Sequence, residues 1–319
     1  MEQSYVIGRL LRSRKAIGRV GRTIATACAA GTQVDAACLK IKNTGGEVEA
    51  ELTTYHAMCN SACGYLFLGA TSREVAPDAA LAVHNSRLVL AFHGHPPPAA
   101  VAEYRQRRMA RADRDRAAFI AAMGISRELD DLIRTVKFEN LHLLTRAELY
   151  RFGIDTRSLA ETAWKLEKEA RPFARKFAML KENGASFRPM EWRLSCESGK
   201  RVPTAVGKTT ILVTADAAPD NAAGGSALRT GKYEVWRGSI DPDMLKAILA
   251  SRSLHVRETT LLPDDKADIT KFDIDLTGLT SVWPQLAASC AAATPAPKSP
   301  WPAIQQPNAS VTPPAAPSP

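Results

Sequence analysis

Two residues in the first third of the chain have the types and the spacing for nucleophilic catalysis. Ser61 lies in Cys59-Asn60-Ser61-Ala62-Cys63, where a loop or strand enters a compact run of small and apolar residues that ends near Gly69. If this run is a helix, its first N–H groups lack partners and favour negative charge, so the Ala62 N–H could help hold an oxyanion. A serine that only caps the helix would occupy the same position, and that alternative stays open.

The second residue is His84, which stands 23 positions after Ser61. The segment Ala79 to His84 is short and apolar, and turn-forming residues flank it on both sides. This pattern predicts a strand that carries His84 at its end. Histidine is the side chain that most often takes a proton from a nucleophile, so the pair indicates a nucleophile and its general base.

The arrangement of these motifs resembles the Clp-protease/crotonase superfamily, in which a serine opens a helix after a strand and a histidine follows some two dozen residues later. The resemblance is to an exported bacterial branch with a C-x-S-A-C serine motif. Four signals stand in the family's order, namely Cys59-Asn60-Ser61-Ala62-Cys63, Ser72-Arg73, Val83-His84, and the segment Leu144 to Ile154 with Glu148, Leu149 and Gly153. In that last segment, Thr145 and Glu148 have the spacing of a capping box and Gly153 marks the helix end.

This resemblance implies an α/β domain of the crotonase type over residues 1–157, a serine hydrolase of peptidase type, and a periplasmic location. It implies a peptide or acyl substrate and no cofactor, and it leaves a homo-oligomer open. The family's third catalytic residue would fall at Glu139 or Asn140, and the register slightly favours Asn140. The rival interpretation is a non-enzymatic envelope protein that keeps the fold as a scaffold or binding module. A crotonase-like acyl-thioester binder is weaker, because a nucleotide-binding signature is lacking.

The resemblance also predicts that the domain is N-terminally incomplete. The family supplies a second oxyanion N–H from a strand and a Gly-Gly pair before the helix that Tyr5 to Arg14 resembles, and the chain begins after that point. Gly45-Gly46 imitates the pair but follows the helix, so we expect it to be a turn. The given N-terminus carries basic residues without the apolar run of a secretory signal.

Four segments are expected along the chain. The α/β domain, with an insertion at about 25–57, is followed by a charged helical connector over 158–185 that Pro172 kinks. Alternating apolar residues then predict a small α+β domain over 186–291, in which Asp241-Pro242 opens a helix. Residues 292–319 are rich in Ala, Pro, Ser and Thr, a composition typical of a disordered tail.

Six cysteines weakly favour disulfides and an oxidising compartment. Cys28 and Cys38 could staple the insertion, and Cys196 and Cys290 are predicted to join the first strand of the second domain to its last helix. Cys59 and Cys63 are expected to be small buried residues around the serine. A metal site is not predicted, because His93 and His95 lack partners at metal-ligand spacing.

The net charge of +9 is concentrated in Arg9 to Arg22 and Arg105 to Arg116. Neither stretch interleaves aromatic residues or matches a recognition helix, so nucleic-acid binding is not expected. An acidic membrane surface or an oligomer contact suits these charges better. The apolar runs are too short for a transmembrane helix.

Overall fold

The computed structural model describes residues 2–28, 32–169, 172–197, 208–216, 227–230, 233–261 and 267–291. Within these ranges the chain forms eight α-helices and sixteen β-strands arranged in five sheets, so the mixed α/β class is confirmed. Among the described helices, none combines the length and the apolar character that crossing a bilayer requires. The predicted disordered tail at 292–319 lies outside the described residues.

The first half of the chain is built from short strands and six helices. Its helices are α1 (Glu2–Ser13), α2 (Ala36–Asn43), α3 (Ala62–Leu68), α4 (Pro98–Ala122), α5 (Glu128–Thr135) and α6 (Arg146–Arg151). Its strands are β1 (Ile17–Arg19), β2 (Arg22–Ala25), β3 (Ala50–Thr53), β4 (Met58–Asn60), β5 (Ser72–Glu74), β6 (Ala80–Val83) and β7 (His142–Leu143).

Two small sheets frame helix α3. Strand β1 pairs in parallel with β5, and β4 pairs in parallel with β6, while β7 adds to the other edge of β6 in the antiparallel sense. Because β4, α3, β5 and β6 follow one another along the chain, α3 lies on the crossover between the parallel strands β4 and β6. One continuous apolar core joins these strands to α1, α4, α5 and α6 through buried residues that include Tyr5, Phe67, Leu81, Phe119, Leu129 and Phe152.

Arg73 ties the ends of three helices together. Its guanidinium donates to the carbonyls of Leu68 at 3.0 Å, Met123 at 3.3 Å, Gly153 at 3.1 Å and Ile154 at 3.0 Å. These carbonyls follow or end α3, α4 and α6, where helix dipoles place partial negative charge. Burial, reinforced by Arg12, lowers the pKa of Arg73 to about 10, which still leaves the side chain charged at neutral pH. The Arg73 of the sequence motif is therefore a structural cation.

Helices α1 and α3 approach each other through two glycines. A Cβ on Gly69 would lie 2.3 Å from backbone atoms of Gly8, which is closer than two such atoms can approach. Any side chain at position 69 therefore forces α1 and α3 apart. We expect Gly69→Ala to lower the free energy of unfolding by about 1–3 kcal/mol, as overpacking typically does. Urea denaturation measures this, and Gly64→Ala is the control, since a Cβ there meets only ordinary contacts at 3.8 Å. A Gly69→Ala variant as stable as the parent would contradict the close approach.

The insertion predicted at about 25–57 has structure of its own. Strands β2 and β3 pair in the antiparallel sense, and α2 lies between them in sequence. A disulfide joins Cys28 to Cys38, whose Cα atoms are 5.8 Å apart, so the predicted staple is confirmed. Gly45 and Gly46 both have positive φ and follow α2, in keeping with the turn expected there.

The predicted helical connector at 158–185 is wrong. This segment forms β8 (Leu159–Glu161), β9 (Lys165–Glu167) and β10 (Phe173–Lys181). Its Ala, Glu and Lys content favours a helix, but propensity is a weak signal that tertiary packing overrides. The period-two pattern in β10 decides the outcome, because Ala174, Lys176, Ala178 and Leu180 are buried and alternate with less buried residues.

The second half of the chain is built on an antiparallel sheet. Strands β11 (Phe187–Glu197), β12 (Lys208–Asp216), β13 (Ala227–Thr230) and β14 (Tyr233–Ile240) extend the sheet that begins with β8, β9 and β10. A hairpin of β15 (Ser253–Leu261) and β16 (Ala267–Asp275) and the helices α7 (Pro242–Ala250) and α8 (Leu279–Ala291) complete this part. The Asp241 side chain caps α7, as predicted. The side chains of Cys196 and Cys290 lie outside the described part, so their disulfide stays a prediction.

Candidate active site

Ser61 and His84 lie at the same edge of one small sheet. Ser61 directly follows β4 and His84 directly follows β6, and these parallel strands pair in register up to Asn60 and Ala82. The carboxyl ends of adjacent parallel strands lie together, and this is the edge where open α/β sheets bind their ligands. Both residues line one narrow cleft, whose other walls are apolar side chains and Gly64. The structure thus brings the two predicted residues to one site.

The backbone at Ser61 is unusual for a residue other than glycine. Its φ of 52° and ψ of −122° lie outside the regions that L-residues normally occupy. Such conformations cost of order 1–3 kcal/mol and cluster at functional sites. A strained serine between a strand and a helix is also the geometry of a nucleophile elbow, which presents the hydroxyl above the sheet edge.

The alternative that Ser61 is only a helix cap does not agree with this geometry. A capping serine has an extended backbone and accepts a hydrogen bond from the second or third N–H of its helix. Ser61 occupies the N-cap position of α3, but its side chain accepts no capping hydrogen bond, and the residue is exposed to solvent. The hydroxyl is therefore left available to other partners.

A second disulfide spans the serine, and it corrects the expectation that Cys59 and Cys63 are only small buried residues around it. Cys59, in β4, is bonded to Cys63, in the first turn of α3, and their Cα atoms are 5.3 Å apart. Cys59 is buried, as expected, whereas Cys63 is exposed. The bond links the strand before Ser61 to the helix after it, so it constrains the turn in which Ser61 lies. The sequence did not predict this disulfide, because two cysteines four residues apart are equally typical of unbonded neighbours on one face of a helix.

His84 is held by a main-chain carbonyl. Its Nδ1 lies 2.7 Å from the carbonyl oxygen of Asn85, and its ring meets the edge of Phe138 with centroids 5.1 Å apart. If Nδ1 carries the proton, it donates to this carbonyl, and Nε2 is left as the acceptor. This is the tautomer that a general base needs.

Asn85 is in turn anchored to the end of α5. Its N–H donates to the Val136 carbonyl at 2.9 Å, and its side-chain amide donates to the Arg134 carbonyl at 3.3 Å. The Asn85 carbonyl is therefore fixed in position beside the imidazole. Sequence reasoning missed this group, since a backbone carbonyl leaves no signature in residue type.

Glu139 and Asn140, predicted as the third catalytic residue, are not bonded to His84. Both are exposed, and the Asn140 N–H closes a turn onto the Lys137 carbonyl at 3.0 Å. In the described part of the chain, the hydrogen bonds of His84 include none from either side chain. Glu139 and Asn140 nevertheless stand close to the site along the chain. They directly precede Leu141 and β7, and β7 pairs His142 with Val83, the residue before His84.

The two ends of the segment Leu144 to Ile154 contribute to the same cleft. The capping box of Thr145 and Glu148 is present as predicted, and Leu144 and Ile154 line the cleft. Glu148 also contacts His142 Nε2 at 3.0 Å. Burial works against ionisation of Glu148, but the hydrogen bonds from Thr145 and His142 outweigh it and lower its pKa.

A buried carboxylate just after this segment was not singled out from the sequence. Asp155 is 1% exposed and accepts hydrogen bonds from the side chains of Arg146 and Arg157 and from the Val75 N–H at 2.9 Å. Burial opposes its ionisation, yet these bonds outweigh burial and hold the pKa of Asp155 well below its usual range. Because Val75 directly follows β5 and Arg146 opens α6, Asp155 ties β5 to α6.

Comparisons with known proteins give no relative for this chain. It matches no protein-family model, no curated protein and no solved structure. Its motifs and the geometry of its site are therefore the features that bear on its function.

Proposed function

We propose that the chain is a serine hydrolase of peptidase type, in which Ser61 is the nucleophile and His84 the general base. One observation carries the proposal: Ser61 occupies a strained turn between a strand and a helix, at the sheet edge that also ends in His84. A strained conformation without a structural need is an argument for function. The motif resemblance to the Clp-protease/crotonase superfamily agrees with it.

The proposed reaction is acyl transfer to the serine followed by hydrolysis. His84 Nε2 takes the Ser61 proton as Oγ bonds to the acyl carbon, and the Ala62 N–H helps stabilise the negative oxygen of the tetrahedral intermediate. The intermediate collapses when the imidazolium returns its proton to the leaving amine or alcohol. Water then attacks the acyl-enzyme with the same assistance and releases the acid.

The Asn85 carbonyl takes the orienting role in this proposal. It keeps the proton on Nδ1, so that Nε2 is unprotonated and can accept the Ser61 proton. A neutral carbonyl stabilises an imidazolium less than a carboxylate does, so we expect slower turnover than that of a Ser-His-Asp enzyme.

The two disulfides are typical of proteins from an oxidising compartment. Together with the resemblance to an exported family, they support a periplasmic location for the proposed enzyme.

A non-enzymatic scaffold is the second candidate. It is favoured by the neutral partner of His84, since in the described part of the chain no carboxylate is hydrogen-bonded to its ring. A protein that keeps the fold without catalysing a reaction would not need a carboxylate to stabilise an imidazolium.

Labelling with a fluorophosphonate probe tests the proposal. We expect one covalent adduct, mapped by peptide mass spectrometry to Ser61, when labelling is carried out at several values between about pH 6 and about pH 9, so that neutral histidine side chains are included. Heat-unfolded protein is the control for non-specific reaction. The absence of an adduct across that range, or an adduct only at other residues, would favour the scaffold.

A further inference from the structure

Cys63 is the exposed end of the disulfide that spans Ser61. It lies in the first turn of α3 and is exposed, whereas Cys59 is 4% exposed and belongs to the apolar core. In thiol–disulfide exchange an attacking thiolate must reach one sulfur of the bond. This bond therefore presents one accessible sulfur, that of Cys63, to an incoming thiol.

The bond between Cys28 and Cys38 differs in two respects. Cys38 is 3% exposed and Cys28 is only half-buried, so neither cysteine is fully open to solvent. The cysteines of this bond are 10 residues apart, whereas Cys59 and Cys63 are only 4 apart. In the chain-entropy model, the bond that closes the longer loop contributes more stability. Exposure and loop length thus both make the Cys59–Cys63 bond the easier of the two to reduce.

The Cys59–Cys63 bond is also the main connection between β4 and the start of α3. Pairing with β6 fixes β4 up to Asn60, and the buried part of α3 begins at Gly64. The three residues between them, Ser61, Ala62 and Cys63, are all exposed, and the Ser61 side chain makes no capping hydrogen bond. Packing and capping therefore contribute little to this turn, and the disulfide holds it.

Ser61 gains from a change of conformation once that connection is broken. Its φ of 52° is costly for a residue with a side chain, and such a conformation persists only where the surrounding structure enforces it. Without the bond, the first turn of α3 is free to unwind, as helix ends commonly do. The Ser61 backbone then returns to negative φ, and its hydroxyl leaves the sheet edge that it shares with His84.

We propose that Cys63 is a site of thiol–disulfide exchange, and that its bond to Cys59 switches the Ser61 turn between a constrained and a relaxed state. The thiolate of an external dithiol attacks the Cys63 sulfur and expels Cys59 as a thiolate, which takes up a proton. The second thiol of the reductant then attacks the mixed disulfide and releases Cys63, which is protonated in turn. The protein gains two electrons and two protons, and the dithiol becomes a disulfide. The effect on activity rests on the proposed hydrolase, whereas the exchange and the change of backbone do not.

Graded reduction of the folded, full chain with dithiothreitol tests the exchange. Alkylation followed by peptide mass spectrometry measures how much of each cysteine pair is reduced. We expect the Cys59–Cys63 bond to open at a dithiothreitol concentration at least about threefold lower than the Cys28–Cys38 bond, the ratio that loop length alone predicts. The proposal is overturned if the Cys59–Cys63 bond opens only together with the other bond or only when the protein unfolds.

Amide hydrogen exchange measures the consequence for the backbone. A helix over Ala62–Leu68 bonds the N–H groups of Leu66 and Phe67 to the carbonyls of its first two residues. We expect these two amides to exchange about tenfold faster or more after reduction, because relief of the strain at Ser61 favours the unwound turn. The Ile120 amide in α4 is the control and should not change. Unchanged exchange at Leu66 and Phe67 would show that the disulfide does not hold the turn.

Fluorophosphonate labelling measures the consequence for the proposed active site. The labelling rate of Ser61 should fall about five- to hundredfold on reduction, the range that strain at a single residue corresponds to. Cys63→Ser should label as slowly as the reduced parent, with or without dithiothreitol. The double variant Cys28→Ser/Cys38→Ser lacks only the other bond, so it should keep both the parent rate and its response to dithiothreitol.

These outcomes separate the switch from the hydrolase. Labelling of the reduced parent at the full rate overturns the switch, and the reduced parent also decides the outcome if thermal unfolding shows that Cys63→Ser does not fold. An oxidised parent that is not labelled contradicts the proposed hydrolase instead. In that case, amide exchange at Leu66 and Phe67 decides by itself whether the bond controls the Ser61 turn.

Discussion

Ser61→Ala is expected to abolish covalent labelling by a fluorophosphonate. The probe bonds only to an activated oxygen, and alanine has none. Alanine keeps a Cβ, so it meets the same strain as serine at a φ of 52°. The thermal unfolding midpoint of the variant should therefore stay within about 2 °C of the parent, which separates loss of the nucleophile from loss of the fold. Labelling is quantified by in-gel fluorescence.

The control for this experiment is Ser72→Ala, which removes another exposed hydroxyl on β5 and should label like the parent. His84→Gln is a companion that leaves Ser61 in place. Because general-base assistance contributes about 10²–10⁴-fold, we expect the labelling rate to fall by a factor in that range. Undiminished labelling of Ser61→Ala would remove the serine from the proposed mechanism, and undiminished labelling of His84→Gln would remove the base.

Asp155→Asn is expected to be the most destabilising single change considered. It leaves Arg146, which is buried, without its charged partner, since the Arg146 and Asp155 side chains meet at 2.7 Å. Breaking a buried pair by removing one partner typically costs about 3–5 kcal/mol. Urea denaturation at neutral pH measures the loss. Asp131→Asn, an exposed site on α5, should change stability by less than about 0.5 kcal/mol.

The Asp155 carboxylate also makes the free energy of unfolding depend on pH in the acid range. The pKa of Asp155 is lowered in the folded protein, so its contribution is fully present above the unfolded value of about 3.9. The contribution is lost as the pH falls from that value through the lower pKa of the folded state. We expect the parent to lose stability more steeply below about pH 4 than the Asp155→Asn variant does. Parallel slopes for the two proteins would show that Asp155 is not held ionised by its arginines.

The sequence allowed the proposed pair, Ser61 and His84, to be selected, because each follows a short apolar strand and carries a distinctive side chain. The capping box at Thr145 and the cap at Asp241 were also predictable, since these motifs act within a few residues. The Asn85 carbonyl was not, because any residue type supplies one. The strands at 158–181 were missed because the composition of this segment favours a helix, whereas the pairing of β8 and β9 with β10, and of β10 with β11, decides the structure.

The unusual backbone at Ser61 has a consequence for how this protein can change over generations. Glycine would adopt the same φ without a steric penalty, so the fold would gain stability if the serine were lost. Random substitutions that survive by improving stability tend to sacrifice function where the two conflict. If the hydroxyl has the proposed role, a lineage freed from the need for it would drift toward glycine at position 61 early, whereas a lineage that uses it would keep serine there at a cost in stability.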